Sequence, residues 1–85
     1  MREEARERAA KYLKTTSQSL KSLNLKKSPS LIDLPKTNHV LELVHGYARD
    51  AEHYLGNRKP VTALACIAYA EGLLDALKFL ELAEF

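Results

Sequence analysis

The apolar positions of this chain fall into three stretches with helical spacing. Between residues 2 and 23, apolar and small residues recur every three or four positions and form a narrow stripe, with lysines on the opposite side. Residues 38–55 carry a broader apolar stripe, and their charged and imidazole side chains take the other half of the helix. Residues 60–83 are apolar over most of the circumference. That pattern is typical of a buried central helix.

A segment rich in turn-forming residues separates the first two stretches. Pro29 and Pro35 interrupt any helix between residues 24 and 37, so we predict a loop there. It is long for a connection between helices, which usually takes about two to eight residues. We expect its apolar side chains to pack on the helices, namely Leu31, Ile32 and Leu34.

The remaining boundaries follow from capping residues. Thr37 or Asn38 is a suitable N-cap for helix 2, and Gly56 suits its C-terminal end. Pro60 fits the first position of helix 3. The sequence therefore predicts one all-α domain over residues 1–85, a three-helix bundle with a C-terminal antiparallel helical hairpin and a long loop between helices 1 and 2.

Composition limits how this domain is stabilised. At 85 residues, with Cys66 as the one cysteine, the chain has no intramolecular disulfide and no cysteine-based zinc site. Cys66 lies in an apolar run and is interpreted as a small buried hydrophobic residue. Stability must come from helix packing or from oligomerisation, and the apolar excess of helix 3 predicts a homodimer.

Helix 3 also carries a line of small residues. A glycine inside a helix costs about 1 kcal/mol relative to alanine, so Gly72 needs a reason. Small side chains on one face let another backbone approach closely. We predict that helix 1 or a partner subunit lies across this ridge, which comprises Ala65, Ala68, Gly72 and Ala76.

The polar strip of helix 3 is a candidate polar site made of Glu71, Asp75 and Lys78. The two carboxylates are four residues apart, where like charges repel on a helix. Pairing with Lys78 or with basic side chains of helix 1 is one interpretation. A pair of carboxylates that faces a ligand is the other.

Charge is distributed unevenly along the chain. Residues 1–27 carry a net charge of +5 and residues 28–85 a net charge of −3. A basic first helix suits either a phosphate-binding face or a solvated face that complements the acidic remainder. The candidate phosphate-binding residues are Arg8, Lys11, Lys14, Lys21, Lys26 and Lys27.

Helix 2 contains carboxylates three residues before histidines, a spacing that di-iron bundles use. Glu42 and His45, however, lie opposite the apolar stripe, and so does His53. A solvated, salt-bridged face therefore fits better than a metal site in the core. With no catalytic triad and no glycine-rich phosphate loop, we predict no catalytic residues, no metal and no cofactor.

The C-terminal half resembles a family of small, mainly archaeal helical proteins, the domain of unknown function family 357. The resemblance rests on Ala63-Leu64-Ala65 and on the run from Tyr69 to Ala76, and it covers roughly residues 40–82. Members usually have a further glycine near the end of helix 3, where this chain reads Leu77 to Glu81. The resemblance implies a compact helical fold and an archaeal, cytoplasmic origin, and it implies no activity.

The functional expectation is a non-enzymatic module that binds itself or another protein. The alternative is a phosphate- or nucleic-acid-binding module that uses the basic face of helix 1. The charged N-terminus has no signal-peptide core, and the apolar run from Val61 to Ala70 is too short to span a bilayer. We therefore expect a cytoplasmic protein that does not insert into membranes.

Overall fold

The computed structural model describes residues 4–25 and 34–85, and these form three helices and a small two-stranded sheet. In chain order the elements are α1 (Ala5–Ser22), β1 (Asn24–Leu25), α2 (Leu34–Gly56), α3 (Pro60–Phe79) and β2 (Ala83–Glu84). The all-α bundle predicted from the sequence is confirmed. The predicted packing of Leu31 and Ile32, and the basic side chains of Lys26 and Lys27, fall outside the described residues.

One side of α3 forms the core with the other two helices. Its buried side chains, Ile67, Ala70 and Leu74, pack in one cluster with buried residues of α2. The stripe of α1 covers the cluster through partly buried residues. The α2 members of the cluster are Val44, Ala48 and Ala51, and the α1 members are Tyr12, Leu13 and Leu20.

A tight turn joins α2 to α3, and its left-handed residue is Arg58, with φ of 60°. The Lys59 amide donates to the carbonyl of Tyr54 at 2.8 Å, and the Arg58 amide donates to Leu55 at 3.3 Å. These two bonds are those of a Schellman motif. Gly56, predicted to be the capping residue beyond the helix, is instead the last residue of α2.

The end of α3 has the same motif. Glu81 has φ of 57°, the amide of Leu82 donates to the carbonyl of Leu77 at 2.9 Å, and the amide of Glu81 donates to Lys78. The helix therefore ends at Phe79, and the prediction that it extends to residue 83 is wrong.

After this turn the chain forms β2, which pairs antiparallel with β1. This sheet was not predicted, because two-residue strands carry no periodic signal. Leu25 of β1 packs against a second buried cluster formed by Leu77, Leu82 and Ala83. The sheet thus ties the end of α1 to the C-terminal segment.

The start of α2 also differs from the prediction. The helix begins at Leu34, so Pro35 lies in its first turn, where a missing amide costs no helical hydrogen bond. Thr37 is a buried residue inside the helix and not its N-cap. Leu34 is exposed, so its predicted packing on the helices is wrong.

Candidate interaction surface

The side of α3 that points away from α1 and α2 is apolar and open to solvent. Val61 at its start is 72% exposed and Phe79 at its end is 82% exposed. The two are 18 residues apart, which is five helical turns, so they share one face. Between them lie four exposed small residues on the same face, Ala65, Ala68, Gly72 and Ala76. We call these six residues the outer face of α3.

Two further apolar side chains border the outer face. Tyr69 is 56% exposed, and its ring contacts that of Tyr47 on α2 with centroids 4.6 Å apart. Leu80, just beyond the helix, is 57% exposed. Helical periodicity identified the small residues of this face but did not assign Tyr69 and Leu80 to its border. Their spacing from Val61, eight and nineteen residues, was the available signal, because it places them about 80° and 100° round the helix from Val61.

Within residues 4–25 and 34–85, the small-residue ridge is therefore not covered by another part of the chain. A Cβ atom added at Gly72 would meet nothing within 4 Å. The interpretation that helix 1 lies across Gly72 is wrong, because α1 packs on the side that carries Ile67 and Leu74. The small α3 residues that do pack in the interior are Ala63 and Ala70. Whether a partner subunit covers the ridge stays a prediction.

This exposure makes α3 unusual for the apolar helix of a bundle. Among the described residues, α3 is by length and composition long and apolar enough to cross a membrane, yet only 28% of that stretch is buried. The expectation from the sequence rested on the apolar run from Val61 to Ala70 alone, which is too short to span a bilayer. The apolar core helix of a soluble protein meets the same criterion, but it is mostly buried.

The three members of the candidate polar site make different contacts. The hydroxyl of Thr15 on α1 donates to Oε1 of Glu71 at 3.3 Å. The ammonium of Lys78 lies 4.8 Å from the centroid of the Phe85 ring, a cation–π contact. Asp75 is exposed beside the outer face. The α1 side chain that bonds Glu71 here is thus the hydroxyl of Thr15.

Glu71 has an altered acidity. Partial burial raises the pKa of its carboxyl above the ordinary value, and the negative charge of Asp75 raises it further. The hydrogen bond from Thr15 acts in the opposite direction and lowers this pKa. The like-charge effect is the one expected for carboxylates four residues apart.

The basic side chains of α1 are exposed. Lys11, Lys14 and Lys21 point to solvent along the helix, and the guanidinium of Arg8 lies 5.9 Å from the centroid of the Tyr12 ring. The structure thus places four of the six candidate phosphate-binding residues on α1, and the other two lie outside its description.

The polar face of α2 contains a shallow depression of about 650 Å³. Arg49, Glu52, His53 and Asn57 line it, and the amide nitrogen of Asn57 lies 3.0 Å from Nε2 of His53. All four side chains are exposed, and for Arg49, Glu52 and His53 the helical pattern of α2 predicted this. Within residues 4–25 and 34–85, no group of three or more metal-ligating side chains comes together.

Cys66 is a free, partly buried cysteine that packs on the α2–α3 core. Burial raises the pKa of its thiol, and the nearby carboxylate of Asp50 raises it further. A raised pKa keeps the thiol protonated, and a protonated thiol is a poor nucleophile. This is the setting of a structural cysteine.

Comparison with known proteins identifies the family and adds no function. The profile of a family described as "Protein of unknown function (DUF357)" matches residues 11–83, which is most of the chain. No curated protein and no solved structure matches the sequence. The match extends over α2, α3 and residues 11–22 of α1, and so includes most of the first helix, which the resemblance seen in the sequence did not cover. The chain therefore belongs to the DUF357 family, whose function is unknown.

Proposed function

We propose that this protein is a self-association module in which a second copy of the chain covers the outer face of α3. The observation that carries the proposal is the exposure of Val61 and Phe79 at the two ends of a ridge of small residues. Large apolar residues in isolation are normal on a protein surface, but a continuous apolar face usually marks a contact.

The area of the face suits a dimer. α3 is 20 residues long, which is about 30 Å. Its outer face and the bordering Tyr69 and Leu80 expose on the order of 600 Å² per copy, since a single aromatic side chain accounts for about 150–250 Å². Two copies would then bury roughly 1,200 Å², the lower limit for a stable protein interface. We therefore expect a dissociation constant in the micromolar range.

The charges near the ends of α3 favour a second copy over a lipid surface. The turn before the helix carries the exposed cations Arg58 and Lys59, and the segment after it carries the exposed carboxylates Glu81 and Glu84. A surface with opposite charges at its two ends complements itself. Anionic lipids would attract the first end and repel the second.

A pair of matched variants tests the proposal. Ala65→Glu puts a carboxylate on the outer face, and Ala10→Glu makes the same change at an exposed alanine of α1. We expect Ala65→Glu to weaken dimerisation by about 100-fold, as for a charge buried at an interface, and Ala10→Glu to leave it unchanged. Light scattering after size exclusion would measure both.

Two results would overturn the proposal. The first is an equal mass distribution for the wild type and both variants. The second is a wild-type chain that stays monomeric and cosediments with neutral lipid vesicles through the same face, because a membrane would then be what covers α3.

A second candidate function rests on the exposed cations of α1. The exposure of Lys11, Lys14 and Lys21 is the observation that favours a phosphate- or nucleic-acid-binding module. Binding of RNA or single-stranded DNA through such lysines would weaken steeply as salt rises. Titration with both polymers at low and at moderate salt tests this function, and an absence of binding at low salt eliminates it.

A further inference from the structure

We infer that the two copies pair through α3 in antiparallel orientation, with Val61 of one copy opposite Phe79 of the other. This inference rests on the proposed self-association and specifies its geometry. Three features of the outer face carry it: the sizes of its end residues, the charges beyond its ends, and the position of its smallest residues.

The end residues differ in size. In a parallel pair Val61 would meet its own copy at one end, and Phe79 would meet its own copy at the other, so the helices would be forced apart at the phenylalanine end. In an antiparallel pair each end contains one valine and one phenylalanine. The separation of the helices is then the same at both ends, and all the exposed apolar area can be covered.

The end charges favour the same orientation. With Val61 opposite Phe79, the cationic side chain of Lys59 lies beside the carboxylate of Glu81 of the second copy, and this contact occurs twice. A parallel pair would bring lysine to lysine and glutamate to glutamate. The macrodipoles of the two helices are also opposed in the antiparallel arrangement, which is favourable.

The smallest residues then fall at the centre of the interface. The two-fold axis passes near residue 70, and Ala68 of one copy lies opposite Gly72 of the other. Because neither position carries a large side chain, the helix axes approach to about 8 Å, the short end of the usual range. This explains a glycine that faces open space in the single chain and costs helix stability there.

Disulfide trapping tests the orientation. In a Cys66→Ala background, Ala65→Cys and Ala76→Cys each place one thiol on the outer face. The antiparallel pair brings position 65 of one copy within disulfide range of position 76 of the other and keeps identical positions roughly 15 Å or more apart along the helix axis, whereas a parallel pair does the reverse. We expect a mixture of the two variants to form at least about tenfold more cross-linked dimer than either variant alone.

The outcomes separate this inference from the proposal beneath it. Cross-links confined to the mixture support the antiparallel pair. Cross-links that form as readily in each single variant, or a dimer by sedimentation with no cross-link at all, overturn the orientation but not self-association. A monomer at all concentrations without cross-links overturns both. Cysteine at position 10, introduced as Ala10→Cys, provides the control for random collision.

Discussion

The hydroxyl of Thr15 on α1 and the carboxylate of Glu71 on α3 form a hydrogen bond of 3.3 Å across 56 positions of sequence. This contact links α1 to α3 beside their apolar packing, and Glu71 is partly buried there. Partial burial of Glu71 and the nearby Asp75 raise the pKa of the carboxyl. Ionised Glu71 therefore costs stability.

The first prediction concerns the pH dependence of this cost. Because the folded-state pKa of Glu71 is raised, the folded chain binds the proton more tightly than the unfolded chain. The contribution of Glu71 to stability therefore falls as pH rises from the ordinary pKa of glutamate through the raised pKa of the folded state. Glu71→Gln keeps an acceptor for Thr15 and removes the charge. We expect a higher melting temperature than wild type at neutral pH, and no difference below the ordinary pKa of glutamate.

Thermal unfolding at several pH values would measure this difference. Glu52→Gln on the exposed face of α2 is the control. It removes the same charge, and Glu52 is not among the groups that shift the pKa of Glu71. A Glu71→Gln variant less stable than wild type at neutral pH would contradict the account.

The second prediction concerns Thr16, whose buried hydroxyl oxygen has no hydrogen-bond partner in the described part of the chain. Thr16→Val has nearly the same shape and removes the unsatisfied polar group, so it should stabilise the protein by about 1–2 kcal/mol. For a domain of this size that corresponds to a rise of several degrees in melting temperature. Calorimetry would measure it.

Thr15→Val is the matched control, one residue away. Its hydroxyl is exposed and bonded to the carbonyl of Tyr12 and to Glu71. We expect no gain from this change. A fall in stability for Thr16→Val would mean that the hydroxyl is satisfied.

The third prediction concerns Glu81, which has a left-handed conformation at the end of α3. Side chains other than glycine and asparagine adopt it at a cost of about 1 kcal/mol. Glu81→Gly should therefore raise the free energy of unfolding by roughly 0.5–1 kcal/mol. Glu84→Gly, in the extended strand β2, should give no such gain. Urea unfolding, at a protein concentration that keeps the chain monomeric, would measure the free energy of unfolding of both variants. An equal change in the two variants would contradict the prediction.

These cases show what the sequence determined and what it did not. The three helices and the partition of α2 into an apolar and a charged half follow from periodicity alone. The capping residues Arg58 and Glu81 were missed because neither belongs to the residue types that usually adopt a left-handed conformation. The start of α2 was missed because Pro35 was interpreted as a helix breaker, although it is harmless in a first turn.

The candidate surface was only half predictable. Periodicity placed the small residues of α3 on one face, but it did not say whether α1 would cover them. The answer depends on which sides of α3 the other two helices occupy, a tertiary property that no local pattern encodes. A helix that is apolar all round presents α1 and α2 with more surface than they can cover, and the outer face is what remains exposed.

The fourth prediction uses Gly72 to separate effects on the single chain from effects on the dimer. In dilute solution Gly72→Leu should stabilise the monomer by about 0.5–1 kcal/mol, because leucine is a better helix former and the space around Gly72 is open. In concentrated solution the same change should weaken dimerisation, because it separates the helices where they approach most closely. A variant that raises the melting temperature equally at both concentrations would contradict close approach at Gly72.

The most direct test of the central claim is sedimentation equilibrium of the wild-type chain from micromolar to millimolar concentration, with melting temperatures recorded over the same range. Mass action requires a dimer that covers α3 to become more populated and more stable as concentration rises. The account predicts a shift from the mass of one chain to that of two, together with a rising melting temperature. A single-chain mass throughout, with a constant melting temperature, would contradict it.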